Sequence, residues 1–100
     1  MKSALNLNKS LFWDVDYQRL DSVRDADFII ERVLNYGDEK DFKTAINFYG
    51  LEMIKQSAKR VKYINEKNLN FWAVIFQIPL ESFQWKKRLS AQKQGIFLKR

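Results

Sequence analysis

Four stretches of this chain place apolar residues at helical spacing, and single glycines or a proline separate or end them. In the first stretch, about residues 22–36, five apolar residues occupy the offsets i, i+3, i+4, i+7 and i+8 that share one helix face: Ala26, Ile29, Ile30, Val33 and Leu34. Asp21 or Asp25 is suited to cap this helix, and Gly37 is expected to end it in the left-handed conformation. The pattern predicts an all-α fold.

Three further helices follow from the same reasoning. The second begins at Asp38 and ends at Gly50, and the third has the inward face Leu51, Ile54, Ala58 and Val61. The fourth begins near Asn65 and faces the core with Leu69, Trp72, Ala73 and Phe76. Pro79 cannot continue it and is expected to open one short turn through Phe83. We therefore predict a small domain of four to five helices.

The ends of the chain lack this pattern. Residues 1–10 are polar and are predicted to form a flexible arm, whereas residues 11–84 form a single helical domain. Its first part is expected to be irregular and to lay Phe12 and Trp13 on the core. Residues 85–100 hold six basic residues and no acidic one, which predicts a loosely held basic tail.

The absence of cysteine bears on location. A small secreted domain usually carries disulfides, so a chain without cysteine is expected in the reducing cytoplasm. No long apolar run follows Lys2, which argues against a signal peptide. The longest uncharged stretch, residues 68–80, is 13 residues long and too short to span a bilayer, so no membrane attachment is expected.

The side chains that enzymes use most are missing. The chain has neither histidine nor cysteine, and its three glycines are isolated, which leaves no phosphate loop and no Ser-His-Asp or Cys-His pair. The remaining candidates for acid/base chemistry or magnesium binding are five carboxylates near the N-terminus: Asp14, Asp16, Asp21, Asp25 and Asp27. We expect them to cap helices or face solvent. The prediction is no enzyme, no metal and no cofactor.

Positive charge is concentrated in the second half of the chain. Residues 1–50 carry a net charge of −2 and residues 51–100 a net charge of +8. Such a field attracts nucleic acid or an acidic protein surface, but it is equally expected of a solvated basic surface that keeps a protein in solution. Charge alone leaves both interpretations open.

The segment Asp38 to Ile64 resembles a helix-turn-helix hairpin, with its tight turn at Tyr49-Gly50. In that interpretation its basic residues would contact phosphates or base edges: Lys55, Lys59, Arg60 and Lys62. The alternative is an ordinary helical hairpin with a solvated lysine face, which is the commoner structure. The hairpin is therefore a candidate DNA-binding site.

Aromatic residues give further candidates for binding. Trp85-Lys86-Lys87-Arg88 combines a ring that stacks on bases with three cations, although Trp85 is also suited to cover the core. Trp13 and Trp72 are expected in the core. Phe71 falls off the inward face of its helix, which makes it a candidate for an exposed partner contact.

These residues also resemble a known group of proteins. Phe12-Trp13-Asp14 and the run Ile29-Ile30-Glu31-Arg32-Val33-Leu34 are similar to a small helical bacterial protein family that is uncharacterised. Its members are often encoded beside nucleotidyltransferase-type abortive-infection toxins, and the resemblance covers about residues 11–83. It implies a helical, non-catalytic antitoxin or regulator, and it carries over no functional residue.

The expected function is thus a small antitoxin-like or regulatory protein of a toxin–antitoxin pair, which binds a toxin protein and, through the hairpin, DNA. The alternative is a helical nucleic-acid-binding module with no toxin partner. A self-associating domain, and hence a homo-oligomer, is a third hypothesis. The sequence leaves the toxin and any operator unidentified.

Overall fold

In the computed structural model of the protein, which describes residues 5–86, four α-helices follow one another: α1 (Ala26–Tyr36), α2 (Glu39–Tyr49), α3 (Leu51–Arg60) and α4 (Glu66–Phe76). Short 3-10 helices lie before and after them, at Lys9–Phe12, Tyr17–Arg19 and Leu80–Ser82. The described part of the chain contains helices and no strand, so the predicted all-α class is confirmed.

The helix starts follow from capping side chains. A carboxylate oxygen of Asp38 accepts from the Asp41 amide at 2.9 Å, and the Asp41 carboxylate accepts from the Asp38 amide at 3.2 Å, which is a capping box at the start of α2. Asn65 caps α4 by accepting from the Asn68 amide at 2.8 Å. Both predicted starts are confirmed.

The start of α1 is built differently from the prediction. Asp25 occupies the cap position but makes no side-chain bond to the first turn, and it instead accepts from the Asp21 amide at 3.0 Å. Asp21 accepts from the amides of Val23 and Arg24, both at 2.8 Å. The two aspartates therefore order the turn that precedes α1.

The two glycines between helices serve different purposes. Gly50 joins α2 to α3 with φ +89°, a conformation that residues with a Cβ rarely adopt. Gly37 was predicted to be left-handed, and this is wrong because its φ is −75° and its ψ is 160°. A Cβ at Gly37 would lie 2.7 Å from the carbonyl oxygen of Val33, so close approach requires the glycine there.

One apolar core runs from Leu5 to Phe83. All five residues of the predicted inward face of α1 are buried, as are the four of α4. In α3, Ile54 and Ala58 are buried as expected, but Leu51 is 49% exposed, so its predicted inward position is wrong. Because Leu51 is the first residue of α3, it lies at the helix end rather than over the core.

Part of the predicted flexible arm contributes side chains to the core. Leu5 and Leu7 are 3% and 4% exposed, and the Asn8 amide donates to the Asp41 carboxylate at 3.3 Å. Leu5 and Leu7 are therefore part of the core, whereas the side chains of Asn6 and residues 8–10 are exposed. The rest of the predicted arm, residues 1–4, and residues 87–100 of the predicted basic tail lie outside the described residues.

The helices are short. None of those in residues 5–86 combines the length and apolar character that crossing a membrane requires.

Candidate partner-binding surface

The N-terminal segment is fixed to α1 through Arg32, whose side chain lies between two aromatic rings. Its guanidinium carbon is 4.6 Å from the ring centres of both Trp13 and Phe28. Its nitrogens donate to the two carboxylate oxygens of Asp14 at 2.7 and 2.8 Å, and one donates to the Leu11 carbonyl at 3.0 Å. The hydrogen bonds from Arg32 lower the pKa of Asp14 below its ordinary value. This cluster sets the position of the Trp13 ring.

A second polar cluster centres on Asn35, near the end of α1. Its Nδ2 donates to the carbonyls of Glu31 at 3.0 Å and Lys62 at 2.9 Å. Its Oδ1 accepts from the Ile64 amide at 3.0 Å and from Nδ2 of Asn68 at 2.8 Å. All four hydrogen-bonding positions of the amide are thereby used. The cluster connects α1 to the loop before α4 and to α4 itself.

Large apolar side chains at these junctions remain exposed and form what we call the aromatic strip. Its five members are Trp13 (62% exposed), Tyr36 (50%), Ile64 (50%), Phe71 (54%) and Ile75 (50%). Successive members share one of three concavities, which polar and charged side chains also line. Trp13, Tyr36 and Ile64 line the first, Ile64 and Phe71 the second, and Phe71 and Ile75 the third. The strip crosses from the N-terminal segment over the end of α1 to α4.

The strip was only partly predicted. Phe71 is exposed as expected, and Trp72 is buried as expected at 8% exposure. The prediction that Trp13 lies in the core is wrong, because one face of its ring covers Arg32 while the rest faces solvent. Its ring also meets Tyr36 edge to face, with centres 5.1 Å apart. Ile75 falls off the inward face of α4, and that signal could have found it. Tyr36 stands three residues after Val33 and seven after Ile29, so helical spacing alone would place it on the inward side of α1.

The third concavity is the apolar groove, of about 330 Å³, between the start of α2 and the outer face of α4. Its apolar lining consists of Val33, Phe42, Phe71, Trp72 and Ile75. The rings of Phe42 and Trp72 lie 4.9 Å apart, and Nε1 of Trp72 donates to the Leu34 carbonyl at 2.8 Å. The groove therefore has a packed, hydrogen-bonded floor.

The N-terminal carboxylates have internal partners. Asp27 accepts from Arg60 at 2.9 and 3.0 Å and from the Ser57 hydroxyl at 2.6 Å, and Asp16 accepts from the Gln18 amide at 3.0 Å. The Arg60 hydrogen bonds lower the pKa of Asp27, opposite to the raised pKa of a catalytic acid. Within residues 5–86, no group of three or more carboxylates is placed to hold a metal ion.

The basic residues of the predicted hairpin lie in different environments in the structure. Lys55 and Lys59 lie half-buried on α3 and form no ion pair within residues 5–86, whereas Arg60 is held by Asp27. Lys62 is exposed but follows the end of α3, so it does not share the helical face predicted for it. One residue, Gly50, separates α2 from α3, where a DNA-binding hairpin has a turn of about three or four residues.

The tail motif is described only at its start. Trp85 packs on the core, with its ring centre 6.0 Å from that of Tyr63. Nζ of Lys86 lies 4.0 Å from a carboxylate oxygen of Glu66. Lys87 and Arg88 lie outside the described residues.

Comparison with known proteins gives one match. A family of unknown function (DUF6922) matches residues 7–58, just over half of the chain. The matched range contains Trp13, Asp14 and Arg32, and ends within α3. No curated protein and no solved structure matches the chain.

Proposed function

We propose that this chain, which belongs to the family of unknown function DUF6922, is a non-catalytic antitoxin-like or regulatory protein that binds a toxin in the cytoplasm. The observation that carries the proposal is the aromatic strip. Its five large apolar side chains are each at least half exposed and line three successive concavities. Exposed apolar side chains that cluster among polar ones are typical of sites of protein association.

The composition of the strip supports a protein partner. Tryptophan, tyrosine and phenylalanine are enriched at the centres of protein interfaces, where they bury much area at a small cost in side-chain entropy. Trp13 and Ile64 are also held in place, the first by the Arg32 cluster and the second by the Asn35 cluster. A surface held before binding loses less freedom when a partner docks. The choice of a toxin as partner rests on the sequence resemblance.

The test is coexpression with a toxin encoded beside this chain in its genome. We expect growth inhibition by the toxin to be suppressed and the two proteins to copurify. Phe71→Ala should weaken the complex at least about fivefold, because truncating a central interface aromatic costs more than about 1 kcal/mol. Copurification from cells and titration calorimetry of the pure proteins measure the two effects.

Leu51→Ala is the matched control. Leu51 is 49% exposed, close to the 54% of Phe71, but it lies at the start of α3 and is not part of the strip. This variant should bind the toxin as the native chain does. Failure of the native chain to suppress or copurify with the toxin would remove the proposal, and equal losses in both variants would remove the role of the strip.

A second function has one observation in its favour. Lys55 and Lys59 are one turn apart on α3 and have no ion pair among the described residues, so they are available to phosphates. If the chain binds nucleic acid there, affinity for a short DNA duplex should fall steeply as salt rises. Replacing Lys55, Lys59 and Lys62 with alanine should make affinity fall less steeply with salt, by an amount that corresponds to the loss of up to three phosphate contacts. An unchanged slope would contradict this role.

Self-association is the remaining alternative, because a second copy could also cover the strip. Light scattering across concentration measures it directly. A monomer at all concentrations would contradict it.

A further inference from the structure

The apolar groove differs from the rest of the strip in having charged residues of one sign at its edge. Its apolar lining comes from α1, α2 and α4, and Asp38 and Glu39 are the only charged residues that line it among those the structure describes. Both stand at the start of α2, where Asp41 is a third carboxylate. The positive end of a helix dipole is equivalent to about half an elementary charge, which is less than the summed negative charge of these carboxylates. The charged side chains that line the groove, at its rim, are therefore negative, while the exposed Lys40 and Lys43 lie on the neighbouring side of the start of α2.

This local charge opposes the charge of the whole chain, which is formally +6. Glu39 forms an ion pair with Lys43, whose Nζ lies 3.2 Å from a carboxylate oxygen of Glu39. Asp38 has no basic partner within the described residues, and its carboxylate accepts only the Asp41 amide among them. A ligand in the groove thus meets an apolar floor beside one carboxylate, that of Asp38, which has no ion-pair partner among residues 5–86.

We infer that the groove binds an amphipathic segment of a protein partner that presents a large apolar side chain beside a lysine or arginine. The apolar side chain would lie on Phe42, Trp72 and Ile75, while the cation would face Asp38. The inference deepens the proposed function, on which it rests, by naming the chemistry of the partner. Helical segments that dock in this way present anchors at i, i+3 and i+4.

Two synthetic peptides test the inference on the full chain. Both are about fourteen residues long with leucines at i, i+3 and i+4, and one carries lysine and the other glutamate at the remaining positions. We expect the lysine peptide to bind at least about threefold more tightly in titration calorimetry. Attraction to the net charge of the protein, formally +6, would give the opposite order, so the expected preference requires a local acidic surface, and the rim variants below test whether the rim supplies it.

Two sets of variants separate the contributions. Asp38→Asn with Glu39→Gln removes the rim charge while asparagine still caps α2, and it should abolish the preference for the lysine peptide. Ile75→Ala should weaken binding roughly fivefold by removing apolar contact. Val74→Ala is its control, because Val74 is 75% exposed on the same helix but does not line the groove.

The other outcomes overturn the inference. These are tighter binding of the glutamate peptide, a preference that survives the rim substitutions, or equal losses for Ile75→Ala and Val74→Ala. Binding that appears only after serine replaces Ile96, Phe97 and Leu98 would assign the groove to the chain's own apolar run, not to a partner. Because the peptides need no toxin, a failure of toxin binding is distinguished from a failure of the groove.

Discussion

Replacing Asn35 with alanine should destabilise the fold by removing the connection between α1 and α4. Three of its hydrogen bonds join separate segments, to the Lys62 carbonyl, the Ile64 amide and the Asn68 side chain. Each such bond contributes a net ~0.5–1.5 kcal/mol, so the set contributes about 1.5–4.5 kcal/mol. The groups on Lys62 and Ile64 are near solvent and can turn to water, which places the expected loss at about 2 kcal/mol.

Asn47→Ala provides the matched control. Asn47 is exposed and lies near the end of α2, as Asn35 lies near the end of α1. Both substitutions gain the same helix propensity, about half a kcal/mol, so the difference between the variants isolates the hydrogen bonds. Urea unfolding followed by circular dichroism measures the free energy of unfolding.

The expected difference of about 2 kcal/mol corresponds to a melting temperature lower by roughly 8–16 °C for a domain of this size. The slope of the urea transition should be the same for both variants, because the surface exposed on unfolding is unchanged. Equal midpoints for Asn35→Ala and Asn47→Ala would refute the reasoning and show that apolar packing alone holds the junction.

Three further perturbations have defined outcomes. Gly50→Ala should cost about 1–3 kcal/mol in unfolding free energy, since φ +89° is nearly restricted to glycine, and an unchanged urea midpoint would contradict this. The hydrogen bonds from Arg60 lower the pKa of Asp27 in the folded state below its ordinary value of 3.8. The ionised Asp27 carboxylate therefore stabilises the fold fully above pH 3.8, and this stabilisation is lost as the pH falls through the lowered pKa of the folded state. Asp27→Asn should flatten the acid loss of stability below about pH 4, and an acid profile identical to the native one would exclude this role. Burial raises the pKa of Tyr49 from 10.0 to about 12. The neutral Tyr49 hydroxyl therefore stabilises the fold fully below pH 10.0, and this stabilisation is lost as the pH rises through about 12. Tyr49→Phe should weaken that alkaline loss in melting curves, and equal alkaline profiles would contradict the assignment.

The fold was largely predictable because its signals are local. Helical spacing identifies the inward faces of α1 and α4, and a single side chain, Asp38 or Asn65, starts a helix by bonding to an amide three residues on. Such information lies within a few residues of chain. It is available before any tertiary contact forms.

The candidate site was harder to predict because it depends on contacts between distant residues. Trp13 packs one face of its ring on Arg32, 19 positions later, and remains 62% exposed, and no local pattern indicates that pairing. The groove needs α2 and α4 side by side, which brings Phe42 within 4.9 Å of Trp72. Spacing indicated that Phe71 is exposed, but it could not show that Phe71 adjoins Ile64.

The range that matches the family does not coincide with the folding unit. Residues 7–58 end inside α3, yet the core continues through Leu69, Trp72, Phe76 and Phe83, all of which are buried. Trp72 also donates to the Leu34 carbonyl and packs on Phe42, both within the matched range. Without α4, Phe42 of α2 would lose its contacts with the rings of Trp72 and Phe76, and burial of apolar surface is the main term that stabilises a domain this small. The aromatic strip divides in the same place, with Trp13 and Tyr36 inside the range and the other three residues beyond it. The partner recognition proposed for the strip would therefore use the part of the chain beyond the family match as well as the part within it.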